Sequence, residues 1–520
     1  MTVLPPPTRP HSQLAHSGAG ALAALALVFA AGGTRAGTDA ANGVAAKAPG
    51  STNITLALTP CHLEHPARLT SPEAQCGELS VPENPTEPSG RQIRLYVARV
   101  PAINRRKRPD PLFVLAGGPG MAATTFYATA AVAFGRIHRD RDIILVDQRG
   151  TGHSNPLDCE LNDDVAAETT GTDTIVQESQ RCLREISQHA NASFYTTSIA
   201  VQDLDRVRAA LGYERINLYG GSYGTRVAQH YVRRFPQRAR TVILDGVVPP
   251  ELDLGPAIAV DAESALMRIL ARCVKDAPCQ QHFGDPAQDY RKLRARLQAQ
   301  AVSIALPDPT TGASSKLELT AVHLATVLRL SSYSPQEAAF LPLLLHAAAT
   351  GDDFKLLASQ FLLSSKALGD VISYGMHNSV VCSEDVPFYD RKAIDRHAIE
   401  QTYLGTLELD ALEAVCKFWP HGPVDPDFHA PLSAATAALL LSGSDDPVTP
   451  PAYAEQAQHG FRDSLHIRME GFGHGQLVAP CMDRVMASFL DLGTAKGLDV
   501  SCARLDRPAA FFLSVSGPAP

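Results

Sequence analysis

Residues 216–231 read INLYGGSYGTRVAQHY. A short apolar run enters Gly-Gly-Ser-Tyr-Gly and leaves with helical spacing, and Pro236 ends that helix after Phe235. Gly220, Ser222 and Gly224 make a G-x-S-x-G. The logic of the pattern is steric. A nucleophile on a tight strand-to-helix turn needs unusual backbone angles, and small residues on both sides make room for it. Five residues alone fit a plain glycine turn nearly as well, so the surrounding chain must decide between the two.

Working outward, RQIRLYVARV (91–100) alternates apolar and polar residues, as a half-buried strand does. PLFVLAGG (111–118) and DIILVDQRG (142–150) are continuous apolar runs ending in glycine, which suits central strands covered on both faces. RTVILDGVVPP (240–250) is another strand, and helical segments at 122–134 and 201–213 lie between the strands. This strand–helix alternation predicts a doubly wound, mostly parallel α/β sheet. After Pro250 the texture changes. Residues 251–432 are mostly Ala/Leu-rich stretches of helical period, and AATAALLLSGSDDPVTP (434–450) then restores the strand-to-loop pattern. Helix PAYAEQAQHG, strand SLHIRMEGFGHG and helix CMDRVMASFLDLG complete it. The expectation is one α/β core, 61–250 and 433–505, interrupted by a helical cap at 251–432 and followed by a tail at 506–520. No internal repeat is visible.

A serine hydroxyl needs a base to become a nucleophile. On this architecture the partners follow in the order serine, acid, histidine, each in a loop after a later strand. The loop after ALLLSG offers Asp445 and Asp446, and that after SLHIRMEG offers His474, flanked by Gly473 and Gly475. Asp446 is the expected acid because Pro447 fixes the turn behind it, and Asp445 is expected to be a solvated turn residue. Oxyanion donors are expected at the Tyr223 N–H and in Ala116-Gly117-Gly118-Pro119-Gly120-Met121. Proline has no N–H, so Gly118 is favoured there and Met121 is second. Asp147 and Arg149, ending a central strand, are expected to hold loops together.

The chain has 520 residues and a net charge of −8, with 46 basic against 54 acidic residues, which argues against a nucleic-acid partner. The N-terminus carries Arg9, an apolar stretch from Ala19 to Ala31, and small residues up to Ala36, the layout of a cleaved signal peptide over 1–36. Residues 37–60 read as a flexible lead-in. No later segment is apolar for 18 residues, so no stable membrane association is expected. The ten cysteines lack CxxC pairs, which points to disulfides in an oxidising compartment and away from a metal centre. The simplest pairing joins neighbours: 61–76, 159–182, 273–279, 382–416 and 481–502. A secreted or periplasmic location follows, with no metal or organic cofactor implied.

AGGPG, VDQRGTGHS, GGSYGTR, SGSDDPVTP and GFGHG together resemble the proline iminopeptidase and tripeptidyl aminopeptidase family of α/β-hydrolase serine peptidases. The exported tripeptidyl-aminopeptidase branch is the closer resemblance. It spans residues of about 60 to 502 and implies an α/β-hydrolase fold with Ser222, Asp446 and His474 as a triad. Ala116 departs from the pattern, since many members have histidine before Gly-Gly-Pro-Gly. The family places an acidic residue two positions after a cap cysteine, and Glu384 in NSVVCSEDVP (378–387) matches it. A carboxylate there would bind the N-terminal amine of a short peptide substrate. The resemblance thus implies an exopeptidase acting through an acyl-enzyme. The alternative is an esterase or lipase, which the same triad would serve and an all-apolar cleft would indicate.

Overall fold

The computed structural model describes residues 56–159, 171–308, 312–369 and 371–517. The signal-peptide expectation therefore lies outside the described residues, as does nearly all of the lead-in. The strands are β1 (Thr59–His62), β2 (Glu73–Pro82), β3 (Gln92–Val100), β4 (Leu112–Leu115), β5 (Ile143–Val146), β6 (Ile216–Gly221) and β7 (Ala239–Asp245). They are followed by β8 (Val302–Pro307), β9 (Ser314–Leu319), β10 (Ala437–Gly443) and β11 (Ser464–Met469). One sheet has the order β1-β2-β3-β5-β4-β6-β7-β10-β11. The six strands from β5 to β11 are parallel, while β1, β2 and β3 add an antiparallel edge.

The continuous apolar runs are explained by burial on both faces. In β4, Phe113 and Leu115 join one hydrophobic cluster and Leu112 and Val114 the other. The same division separates Ile144 from Leu145, Leu244 from Ile243, and Leu440 from Leu441. The chain has the α/β-hydrolase fold.

Between β7 and β10 the chain does two different things. Helices Ile258–Lys275, Pro286–Ala299, Ala321–Ser331 and Leu341–Thr350 build a third hydrophobic cluster of their own, around Leu266, Ile269, Leu293 and Leu345. Helix Tyr374–Glu384 instead sinks Met376, Val380 and Cys382 into a main core cluster, beside Leu157, Ile186 and Tyr195. The expectation of an essentially helical insertion needs one correction. β8 and β9 form an antiparallel hairpin within it, with alternate residues such as Ile304 and Leu306 buried. The expected tail also packs. Phe512 stacks on Phe340 at 3.8 Å, and Phe511 joins the insertion's cluster.

All ten cysteines form the five expected neighbour pairs. No helix among the described residues is long and apolar enough to cross a membrane.

Candidate active site

Ser222 sits between β6 and helix Tyr223–Arg234 with φ +53° and ψ −122°. That is a left-handed conformation costly for a side-chain-bearing residue. Its N–H donates to the Asp245 carbonyl (2.8 Å), and its own carbonyl accepts from the Thr225 N–H (2.8 Å) and hydroxyl (2.6 Å). The two glycines of the motif are needed for close approach. A Cβ on Gly220 would lie 2.3 Å from the Gly224 carbonyl oxygen, and one on Gly224 would lie 2.4 Å from that of Leu115.

Asp446 follows β10 and is fully buried. One carboxylate oxygen accepts the N–H groups of Val448 and Thr449, both at 2.8 Å, and the other accepts the Thr449 hydroxyl at 2.8 Å. His474 Nδ1 lies 2.9 Å and 3.1 Å from the two oxygens. Burial pushes this carboxyl's pKa up, but His474 and the donated N–H groups outweigh burial and hold it below the usual value. The acid is therefore an acceptor that fixes its donors. The backbone N–H of His474 donates to the Tyr333 carbonyl (2.8 Å), and the two rings meet edge to face at 5.1 Å.

The loop after β4 comes to the same place, since a Cβ on Gly117 would stand 3.1 Å from the Ser222 Cβ. The Met121 N–H donates to the Gly117 carbonyl at 3.4 Å, so this candidate donor is turned into its own loop. Gly118 has φ +104°, and the Ser373 N–H from beyond β9 caps the Gly120 carbonyl at 3.0 Å. Tyr223 begins the helix after Ser222, where the leading N–H groups have no intrahelical acceptor. Ser222 and His474 are both partly open to solvent.

Glu384 is placed behind this layer. It is fully buried, and its two oxygens accept the Thr197 N–H (2.5 Å) and hydroxyl (2.8 Å). Thr197 Oγ1 also meets the Tyr223 phenol at 2.5 Å, and Gln148 donates to that phenol at 3.0 Å. Glu384 thus reaches the serine's helix through Thr197 and Tyr223. Burial raises its pKa to about 8, and burial likewise raises neighbouring Asp385 to about 6. Carboxyls raised in this way keep protons that the unfolded chain would release. Their stabilising contribution is present below their unfolded pKa values and is lost as pH rises through about 6 and then about 8. The melting temperature should therefore fall by a few degrees, on the order of the shift a kcal/mol or two produces, between pH 5.5 and 8.5. Glu384→Gln should flatten that slope in a thermal scan series.

Asp445 corrects an expectation. It is buried rather than solvated, with an oxygen 3.4 Å from Arg272 Nε on helix Ile258–Lys275. Asp147 and Arg149 do hold loops together: Asp147 accepts from the Thr124 and His153 N–H groups, and Arg149 pairs with Asp203 at 2.7 Å. Sequence reasoning missed Thr449 and Tyr333. Thr449 lies three residues after the acid, the spacing at which a hydroxyl turns back onto a carboxylate, so a local signal existed. Tyr333 carried none, because its contact with His474 joins the insertion to the core.

The general α/β-hydrolase-fold family model matches residues 110–269, and the model of TAP-like proteins matches 403–502. The chain resembles the α/β hydrolases, whose fold it has. This hydrolase is 28% identical to serine protease Hip1 of Mycobacterium tuberculosis, over 85% of its own length and 90% of the relative's. It is 25% identical to the tripeptidyl aminopeptidase of Streptomyces lividans, over 82% and 83% of the two chains. Among solved structures, proline iminopeptidase of Mycobacterium smegmatis covers 80% of the hydrolase with 98% of its own chain, at 17% identity and a TM-score of 0.37. The hydrolase is a serine hydrolase by its likeness to a serine protease and a tripeptidyl aminopeptidase.

Proposed function

We propose that this serine hydrolase is an exported exopeptidase that releases short peptides from free N-termini through an acyl-enzyme. The observation that carries the reading is the Asp446–His474 contact, with the histidine loop tied to the strained Ser222 turn through Asp245. Similarity to a serine protease and a tripeptidyl aminopeptidase over more than four-fifths of the chain supports a peptide substrate. Five disulfides support export.

In this proposal Ser222 Oγ attacks the scissile carbonyl carbon while its proton passes to His474 Nε2, the ring nitrogen turned away from Asp446. Asp446 keeps the other proton on Nδ1 and favours the imidazolium. The carbonyl oxygen gains the negative charge and takes hydrogen bonds from the Gly118 and Tyr223 N–H groups. Collapse breaks the C–N bond, and His474 gives its proton to the leaving amine. Water then attacks the ester by the same route in reverse, and no metal or cofactor is required.

A panel of free and N-blocked aminoacyl, prolyl and tripeptidyl anilides, set beside simple esters, tests the reading. Preference for free-amine tripeptidyl anilides is expected. Equal turnover of blocked substrates would refute it, and turnover of esters alone would point to an esterase.

Glu384 enters as the acidic group for the substrate amine, a role that requires an ammonium to displace Thr197 and the carboxyl to release to solvent the proton that burial holds on it. Glu384→Gln should then raise KM for free-amine substrates by about tenfold, the value of one charge-assisted contact, and leave ester turnover unchanged. An equal loss on both substrates would assign the residue to holding Tyr223 in place.

A further inference from the structure

Asp245, the last residue of β7, makes contacts that the mechanism above does not use. It pairs in register with Gly221 on β6 and Leu441 on β10, so it stands between the strands that lead to the serine and to the acid. Its carbonyl accepts the Ser222 N–H at 2.8 Å. Its side chain is directed at the histidine loop: one oxygen accepts the Gln476 N–H at 2.7 Å and the other the Leu477 N–H at 2.9 Å. The Tyr219 phenol donates to that second oxygen at 2.9 Å. The group is almost completely buried, at 1% exposure. The next residue is in contact with the base itself. A Cβ on Gly246 would lie 2.9 Å from His474 Cε1 and 3.2 Å from Nδ1.

We propose that Asp245 is a positioning residue that sets the His474 loop against the Ser222 turn, its carboxylate holding the loop's N–H groups and its carbonyl holding the serine's. The inference rests on the reading of Ser222 as nucleophile and His474 as base. One residue grips both partners by hydrogen bonds, which shift far less than packing contacts between loops. Only an ionised carboxylate accepts all three donors. A protonated one must turn an O–H toward one of them and loses a bond. Burial raises the carboxyl to about 6, offset by the Gln476 N–H, the Tyr219 hydroxyl, the positive charge of protonated His474 and the Leu477 N–H. The loop should thus loosen as pH falls through that value. Asp446 titrates lower and does not share this limb.

The test is Asp245→Asn, which keeps the shape but presents an NH2 to donors that need an acceptor. With a tripeptidyl anilide, kcat should fall about a hundredfold while KM stays within about threefold, as expected for lost transition-state geometry. Labelling of Ser222 by a fluorophosphonate should slow by a similar factor yet still reach one label per chain. The acid limb of kcat should become shallower, because the titration of Asp245 has gone from it. A folded variant with kcat within twofold of the parent and an unchanged limb overturns the proposal. If Asp245→Asn does not accumulate, Tyr219→Phe takes its place. It removes one donor and leaves the loop amides alone, and kcat should fall about threefold at constant KM with the acid limb moved to higher pH. Unchanged kcat and limb in that variant overturn the proposal too. Ser222→Ala separates the two levels: activity or labelling that survives it sinks the nucleophile reading itself, whatever Asp245 does.

Discussion

Ser222→Ala should lower kcat on a tripeptidyl anilide by roughly 10⁵- to 10⁶-fold, with little change in KM. The expectation follows from what the side chain does and does not hold. Ser222 keeps its turn through its backbone: the N–H to Asp245, and the carbonyl to Thr225. Removing the hydroxyl should therefore leave the turn, the glycines and the Asp446–His474 contact as they are. Substrate would still bind, and only the attacking atom would be missing. The residual rate should come from oriented water and the two oxyanion donors. Burst titration with an active-site acylating agent gives the check: the parent should show one acyl group per chain and the variant none. A folded Ser222→Ala variant that retains a tenth of the activity would exclude covalent catalysis at this residue.

Asp446→Asn should cost about 10⁴-fold in kcat, the loss expected when a histidine is held in the wrong tautomer. The geometry says why the change is so severe for two atoms of nearly equal size. Asp446 accepts from Val448, from Thr449 twice, and faces His474 Nδ1, so donors surround both oxygens. An amide must aim its NH2 at one of them. Directed at His474, it would force the ring to accept at Nδ1 and carry its proton on Nε2, the nitrogen needed as base. Directed at Val448 or Thr449, it would break the turn. Combined with Ser222→Ala the loss should not multiply, since residues acting as a unit fail together. A double variant ten times slower than Ser222→Ala alone would show that the two act separately.

β4, β5, β6, β7 and β10 were readable because each is buried on both faces, and a strand so placed has no polar side to confuse its pattern. β2 was not readable. EAQCGELSVP carries a glycine and ends in proline, and its strand character comes from pairing with β3. The β8–β9 hairpin was hidden differently. VSIALP alternates properly, but it lies among helices of similar composition, and only its partner across the turn makes it a strand. The motif loops put forward Ser222, Asp446 and His474 as the proposed triad, as tight turns need glycine, proline and aspartate locally. Asp445 was misjudged in its surroundings, because an acidic letter in a loop does not say whether an arginine waits for it.

The sequence by itself determined the central strands, the turns that follow them and the residues those turns present. Each is a local matter of side-chain period, backbone freedom and donor count. The tertiary structure alone decided how the loops are held to one another: Tyr333 against His474, Arg272 against Asp445, Thr197 across Glu384, and Asp245 between serine and histidine. Those contacts join segments dozens to hundreds of residues apart. They exist only once the sheet has brought its carboxyl ends together and the insertion has folded over them, so no stretch of sequence contains them.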